Sequence, residues 1–262
     1  MNSKISSQEK EVSALYEHFD EDQRLIRSKS AQVEFLTTIH YIEKFLKPGM
    51  KILDLGAGTG IYSLYFADKG YDVTAVEITK KHCDIFQAKI KPSHSVTLYH
   101  GSALDLSVLE DASFDVVLLF GPLYHLSDED DRSLCLQESL RVMKQHGTIF
   151  VAYINHDIIH FTEMMKDYDF FGSELYNHET MRLNNEPFVF FKIEECREML
   201  QKNGIHIEKE IASDGLSELM QNQVNALSDS SYQQYLKYHF QQCEKKELLA
   251  ATNHFLFQGK KL

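Results

Sequence analysis

The sequence predicts an α/β fold with a doubly wound, mostly parallel sheet, and three observations carry this prediction. Short apolar runs alternate with helical patterns along residues 51–154, which is the rhythm of β-α-β units. The first run leads into a glycine-dense turn, K-I-L-D-L-G-A-G-T-G at residues 51–60, and the second ends in an acid, Glu77. Glycine lets a ligand approach the main chain, and the following helix presents its first amides to that ligand. These features predict a small-molecule site at the carboxyl edge of the sheet.

We predict the strands and helices from the spacing of apolar residues and from the glycine or proline residues at which each element ends. Seven strands are predicted, at 51–55, 72–77, 95–100, 114–120, 148–154, 205–211 and 254–259. Helices are predicted before residue 47, then at 61–69, 83–90, 128–145 and 193–203, with a helical, polar stretch at 216–251. Because helices separate successive strands, we expect crossover connections and parallel pairing.

Two parts of the chain lie outside this alternation. Residues 1–47 form a predicted N-terminal helical arm, and residues 48–262 form the main domain. Within that domain, an insert at about 155–190 is rich in Asp, His, Tyr and Phe. A long insertion in a compact domain is typically a functional cap or a flexible segment. We therefore predict one domain with an arm and a helical or irregular cap.

The bulk composition narrows the function. The chain has 262 residues and a formal net charge of -12, which disfavours nucleic-acid binding because phosphate recognition needs clustered Lys and Arg. Four cysteines occur without a C-x-x-C pair, so they are interpreted as reduced thiols of a cytoplasmic protein. The polar first ten residues do not resemble a signal peptide, and no run is long enough to span a bilayer.

The glycine spacing of the turn separates two kinds of ligand. Gly56, Gly58 and Gly60 give G-x-G-x-G, whereas a dinucleotide fingerprint is G-x-G-x-x-G and would need glycine in place of Ile61. Asp54, just before the turn, is a poor neighbour for a pyrophosphate and a good partner for a positively charged or zwitterionic group. Residues 54–60 resemble, position by position, the first motif of the class I S-adenosylmethionine-dependent methyltransferases.

This resemblance implies a Rossmann-like fold whose seven-stranded sheet has an antiparallel last strand. It also implies S-adenosyl-L-methionine as cofactor and S-adenosyl-L-homocysteine as product. The acid Glu77 is expected to accept hydrogen bonds from ribose hydroxyls, although a solvated acid at a strand end is the alternative. After the third strand, Ser102 stands where family members often carry an acid that meets adenine. The cofactor residues predicted in this way are Tyr16, Asp54, Gly56, Ala57, Gly58, Gly60, Glu77, Ile78, Ser102, Ala103, Phe120 and Gly121.

The fourth strand is followed by F-G-P-L-Y-H-L, at the position where the family places its substrate. Members that methylate amino groups of nucleic acids carry an N-P-P-Y-like tetrad there, which this chain lacks. The segment is instead similar to the G-P-L-Y-H-L of many bacterial small-molecule-type methyltransferases. The resemblance spans roughly residues 12–260 and is strongest from 50 to 155. Tyr124 and His125 are the candidate catalytic residues, with His125 either a general base or a packing and cofactor contact.

Two further sets of side chains admit more than one interpretation. Tyr16 in the arm either lies near the methionine part of the cofactor or packs on the buried face of its helix. His156, Asp157 and His160 form H-D-x-x-H, which lacks the third ligand of a catalytic zinc site. We predict no metal and interpret the two histidines as a wall of the substrate pocket.

The predicted function is methyl transfer from S-adenosylmethionine to a small molecule, mainly by alignment of the reacting groups. A methyltransferase acting on RNA or protein, a non-catalytic module that binds S-adenosylmethionine, and a nicotinamide oxidoreductase are the alternatives. Neither a monomer nor a homodimer is favoured, and no membrane association is expected.

Overall fold

The computed structural model describes residues 14 and 16 and the ranges 21–184 and 188–261. Most of the first helix predicted for the arm lies outside these residues. The division into an arm (1–47) and a main domain (48–262) stays a prediction. Across the described ranges, no helix combines the length and the apolar character needed to cross a bilayer.

Seven strands form one sheet. They are β1 Lys51–Leu55, β2 Asp72–Glu77, β3 Ser95–His100, β4 Phe114–Leu119, β5 Met143–Ile154, β6 Ile205–Ala212 and β7 His254–Lys261. The strand order is β3-β2-β1-β4-β5-β7-β6. Strands β1 to β5 pair in parallel, while β7 lies antiparallel between β5 and β6. The predicted fold class, including the antiparallel last strand, is confirmed.

Helices cover the sheet between the strands. They are α1 Lys29–Glu43, α2 Ile61–Asp68, α3 Lys80–Lys89, α4 Glu129–Val142, α5 His156–Lys166, α6 Ile193–Lys202, α7 Gln221–Asn225, α8 Asp229–Gln242 and α9 Lys246–Leu249. Short 3-10 turns occur at Glu21–Gln23, Pro122–His125 and Phe170–Gly172. Buried apolar runs fill both faces of the central strands, since four consecutive residues of β1 and the last four of β4 are buried.

The boundary between α4 and β5 differs from the prediction. The predicted helix 128–145 ends at Val142, and β5 begins at Met143 instead of residue 148. Phe114 of β4 pairs with Met143, but Val116 pairs with Thr148, so the residues between them bulge out of the ladder. Gly147 sits in this bulge, where a Cβ would lie 2.5 Å from Met143 Cγ. The polar K-Q-H of the bulge extended the helical pattern in the sequence and hid the start of the strand.

Helix α1 packs against the helical stretch between β6 and β7. Tyr232 donates its hydroxyl hydrogen to the carbonyl of Lys29 at 2.6 Å, and His239 Nε2 lies 3.0 Å from Thr37 Oγ1. At its start, the Ser28 side chain caps α1 by accepting from the Ala31 amide. These contacts join α1 to residues just over 200 positions later in the chain.

The insert forms its own small core. Phe170 and Tyr176 are buried and lie around the His160 ring, whereas Phe161, Tyr168 and Phe171 are exposed. His156 Nδ1 lies 2.8 Å from Asp157 Oδ1, and its Nε2 accepts from the amide of Leu183 at 3.3 Å. The interpretation of His156 and His160 as a pocket wall is therefore wrong: both histidines belong to the core of the insert.

Candidate active site

The sheet order opens a crevice at the carboxyl ends of β1 and β4. Their connections leave in opposite directions along the sheet, which is the usual place for a ligand in a doubly wound fold. The loop after β1 is fixed there from two sides. The amides of Gly56 and Ala57 donate to the Val76 carbonyl at 2.8 and 3.2 Å. Gly56 has a φ of +71°, and a Cβ on it would lie 2.7 Å from Pro122 Cδ. Only glycine satisfies both the backbone and the space.

Glu77 anchors the same loop with an ionised carboxylate. Its Oε2 accepts from the Gly58 amide at 2.8 Å, and its Oε1 accepts from the Thr79 amide at 2.7 Å. Burial alone would raise the pKa of Glu77, but hydrogen bonds from His82 and from these two amides outweigh it and lower the pKa. Each carboxylate oxygen retains acceptor capacity, so Glu77 can also receive hydroxyl donors.

Asp54 has a more internal position than the sequence suggested. It is only 1% exposed, and its Oδ2 accepts the hydroxyl hydrogen of Ser63 at 2.7 Å. Burial raises the pKa of Asp54 to about 6, and the negative charge of Glu77 acts in the same direction. Asp54 thus ties the loop to α2 while it borders the cavity.

The first cavity collects nearly all predicted cofactor residues. Those that line it are Tyr16, Asp54, Gly56, Ala57, Gly58, Glu77, Ile78, Ser102, Ala103, Phe120 and Gly121. Gly60 does not line the cavity. It precedes α2 with a φ of +85°, and a Cβ there would lie 2.4 Å from Phe86 Cδ2. Its role is therefore close packing behind the loop. The cavity also includes Thr79 and His82, which the sequence analysis missed although they closely follow Glu77 in the chain.

Tyr124 and His125 both line the first cavity, but their side chains make different contacts. The Tyr124 hydroxyl donates to the Phe120 carbonyl, and burial raises the pKa of its phenol. His125 Nε2 lies 2.9 Å from Tyr16 Oη, and its ring stands 4.9 Å from that of Phe188. Burial, more than any neighbouring charge, also raises the pKa of Tyr16 well above its ordinary value. Both phenols are therefore neutral near pH 7, so neither is a phenolate base.

A second cavity adjoins the first, and no sequence motif predicted it. The two cavities share Tyr16, Glu21, Arg24 and Tyr124. The remaining lining residues of the second cavity are Arg27, Ser28, Ser30, Ala31, Glu34, Ile154, Phe188, Asp214, Glu218, Gln221, Asn253 and His254. They come from the start of α1, the end of β5, the insert, the segment after β6 and the start of β7.

Charged side chains form a network in this second cavity. Arg24 contacts Glu21 and Glu34, each at 2.8 Å. His254 Nδ1 lies 2.9 Å from Asp214 Oδ2 and 3.4 Å from Glu34 Oε2. Burial would lower the pKa of His254, but the carboxylates of Glu34 and Asp214 raise it to about 9. The imidazole is thus a cation near neutral pH.

Among the described residues, Glu34, Asp214 and His254 are also close enough to one another to bind a metal ion. One ligand atom from each lies within 4.8 Å of the others. A metal would have to displace the proton that His254 carries, because an imidazolium has no lone pair to donate. The prediction that the protein uses no metal is left untested by this geometry.

Comparisons with known proteins agree with this geometry. Residues 53–151 match the sequence profile of a family described as Methyltransferase domain. A putative ribosomal RNA large subunit methyltransferase of Methanocaldococcus jannaschii is 31% identical over 34% of this chain and 25% of the relative. A demethylmenaquinone methyltransferase of Renibacterium salmoninarum is 33% identical over 42% of this chain and 43% of the relative. The chain thus spans less than half the length of either relative.

A solved structure extends the likeness of the fold beyond the matched segment. A SAM dependent methyltransferase from Archaeoglobus fulgidus superimposes with a TM-score of 0.56, covering 87% of this chain and 94% of that protein at 16% identity. The sequence match itself includes the loop after β1, Glu77, Ser102 and the turn with Tyr124. Residues 53–151 of this chain therefore match a methyltransferase domain, and the chain shares its fold with a solved SAM dependent methyltransferase.

Proposed function

We propose that this protein transfers the methyl group of S-adenosylmethionine to a small molecule and releases S-adenosylhomocysteine. The observation that carries the proposal is the junction of two cavities at Tyr16 and Tyr124. The first cavity is lined by the glycine loop that resembles the cofactor loop of the family, and the second is lined mostly by other residues. An acceptor in the second cavity would meet the cofactor at that junction.

The residues of the first cavity have distinct proposed roles. Glu77 accepts the ribose hydroxyls, Ser102 and Ala103 contact the adenine, and the loop around Gly56 binds the amino-acid end. When bound, S-adenosylmethionine supplies an activated methyl group on a sulfonium. The protein then contributes chiefly orientation of the nucleophile against that methyl group.

His125 is the proposed general base for acceptors that arrive protonated. Its buried ring lines the first cavity, and the hydrogen bond with Tyr16 fixes its orientation. A neutral imidazole suits proton transfer near pH 7. For Tyr124 we propose a shaping role, because its hydroxyl already donates to the Phe120 carbonyl.

A small-molecule acceptor is favoured over RNA by the charge of the second cavity. Four carboxylates line it, from Glu21, Glu34, Asp214 and Glu218, and carboxylates repel phosphate groups. RNA is the first alternative acceptor, because the archaeal relative is named as a putative ribosomal RNA methyltransferase. The four free, buried cysteines support a reducing, cytoplasmic location. Monomer and homodimer remain equal alternatives.

Calorimetry tests the cofactor half of the proposal. S-adenosylhomocysteine is expected to bind and NAD is not, and the reverse result would contradict it. Transfer of labelled methyl groups tests the other half, with a small-molecule extract, total RNA and total protein as separate acceptors. We expect label in the small-molecule extract. Label in RNA or protein alone would establish an alternative, and label in none would support a binding module.

A further inference from the structure

We propose that the acceptor carries a positively charged nitrogen, such as an ammonium group, and that Glu218 and Asn253 bind this nitrogen in the second cavity. The inference rests on the proposed function, because it identifies the chemical class of the molecule to be methylated. Four features of the second cavity support it: the charge balance, the surroundings of Glu218, the orientation of Asn253 and the apolar part of the wall.

The inner part of the second cavity has an excess of negative charge. Three carboxylates, those of Glu21, Glu34 and Asp214, share two cations, Arg24 and the protonated His254. This leaves one negative charge in excess before Glu218 is counted. Arg27 adds a positive charge, but its side chain is exposed and water screens it. A positively charged group of the ligand would neutralise the excess negative charge of the cavity.

Glu218 is the carboxylate best placed to receive that cation. Its Oε2 accepts from Asn253 Nδ2 at 2.6 Å, so the partner is neutral. Within the described ranges, no Lys, Arg or His lies within ion-pair distance of Glu218. The side chain is half-buried, and burial, followed by the charge of Asp214, raises its pKa. A bound ammonium would offset both effects.

Asn253 supplies a second acceptor beside Glu218. The residue is 8% exposed, and its Oδ1 has no hydrogen-bond partner among the described residues. Its orientation follows from chemistry, because a carboxylate only accepts and the amide nitrogen must therefore face Glu218. Asn253 thus presents a carbonyl oxygen that needs a donor. A charged nitrogen with two or three N–H groups can satisfy this oxygen and Glu218 together.

Part of the cavity wall is apolar. Phe188 from the insert and Ile154 from the end of β5 line it, next to Tyr124 at the junction with the first cavity. An acceptor with an apolar body and a charged nitrogen would therefore place its body against Phe188 and its nitrogen at Glu218. Tyramine and hexylamine are simple probes with this build.

The test uses two triplets of probes that differ in charge. One triplet is tyramine, 4-(2-hydroxyethyl)phenol and 4-hydroxyphenylacetate, and the other is hexylamine, hexanol and hexanoate; the members of each triplet differ chiefly in their terminal group. Each is titrated by calorimetry into the protein saturated with S-adenosylhomocysteine. In at least one triplet, we expect the amine to bind about tenfold more tightly than its neutral and anionic partners, as a charged hydrogen bond implies.

Substitutions of Glu218 test whether the preference for the amine arises in the second cavity. Glu218→Gln keeps the size of the side chain and is expected to abolish the preference for the amine, whereas Glu218→Asp retains part of it. Glu198→Gln is the matched control, because Glu198 is exposed on α6. Should Glu218→Gln fail to fold, the charge series on the wild-type protein still decides the question.

Three results would overturn the inference. Equal binding of all members in both triplets, or a preference for the anions, would exclude a cation site. The third result would be that Mg²⁺ or Zn²⁺ alone stabilises the protein and prevents amine binding. If Glu218→Gln also loses this stabilisation, the cavity would be a metal site. In each case S-adenosylhomocysteine still binds and the proposed function stands. Failure of S-adenosylhomocysteine to bind would instead refute the proposed function and, with it, this inference.

Discussion

The two cavities are built in opposite ways. The first is lined mostly by short segments that directly follow β1, β2, β3 and β4, so each segment joins one strand to the next helix or turn. The second is assembled from α1 and the residues before it, the insert and the residues beside β6 and β7, which are up to 238 positions apart in the chain. The first cavity therefore depends on local backbone shape, whereas the second depends on long-range packing and charge balance.

The largest effect is expected where the backbone itself is the binding element. Gly56→Val would place a branched side chain at a φ of +71° and into contact with Pro122. We expect affinity for S-adenosylhomocysteine to fall by at least about a hundredfold, with some loss of stability. Calorimetry and thermal unfolding measure the two effects. Gly172→Ala is the control, since a Cβ there meets no atom within 4 Å. Near-normal affinity in Gly56→Val would show that the loop is not the binding element.

Glu77 and Glu218, one carboxylate from each cavity, should affect cofactor binding to different degrees. Glu77→Ala removes the proposed ribose acceptor and the anchor of the Gly58 amide, so affinity for S-adenosylhomocysteine should fall by about a hundredfold. Glu218→Gln should change that affinity by less than about twofold, because distant sites act independently. Equal effects of the two substitutions would contradict the division between the cavities.

The network of the second cavity should give stability a characteristic pH dependence. The pKa of His254 is raised from its ordinary value of 6.5 to about 9, so its stabilising effect is complete below pH 6.5 and is lost as the pH rises through 9. Relative to His254→Gln, the free energy of unfolding of the wild type should therefore fall by up to about 3 kcal/mol over this range. Urea denaturation at pH 6, 7.5 and 9 measures the difference. A constant difference across these values would mean that His254 is not held as a cation.

The smallest effect is expected at Tyr124. Tyr124→Phe removes only the hydrogen bond to the Phe120 carbonyl, which costs about 1 kcal/mol of stability. Methyl transfer should then stay within about fivefold of the wild type, because the phenol is neutral and already engaged. His125→Asn provides the comparison and should slow transfer more. A loss of several hundredfold in Tyr124→Phe would make Tyr124 catalytic and refute its shaping role.

The difference between the cavities explains what the sequence could predict. The strand, turn and helix around Gly56 are encoded by neighbouring residues, and so is the acid Glu77 one β-α unit later. Ten of the twelve predicted cofactor residues line the first cavity for this reason, whereas Tyr16 reaches it from the arm and Gly60 packs against Phe86 behind the loop. The bulge before residue 148 was missed because its polar residues fit a helix as well as an irregular strand.

The second cavity could not be predicted because its residues have no common local pattern. Glu34 lies on α1, and Glu218 and Asn253 flank a helical stretch without a motif. Their meeting depends on how α1 packs on α8 and on where β7 pairs. The histidines of H-D-x-x-H illustrate the converse, because their spacing suggested chemistry while packing assigned them to the core of the insert.

The antiparallel direction of β7 has a consequence for the order of events during synthesis. His254 pairs with Ile154 at the end of β5, so the start of the last strand lies where the parallel strands finish. The ribosome makes the residues that line the first cavity by residue 126, about 130 residues before it makes Asn253 and His254. At usual elongation rates this separation is on the order of ten seconds. A nascent chain therefore contains all residues of the first cavity early, whereas the second cavity is complete only when the final strand is in place.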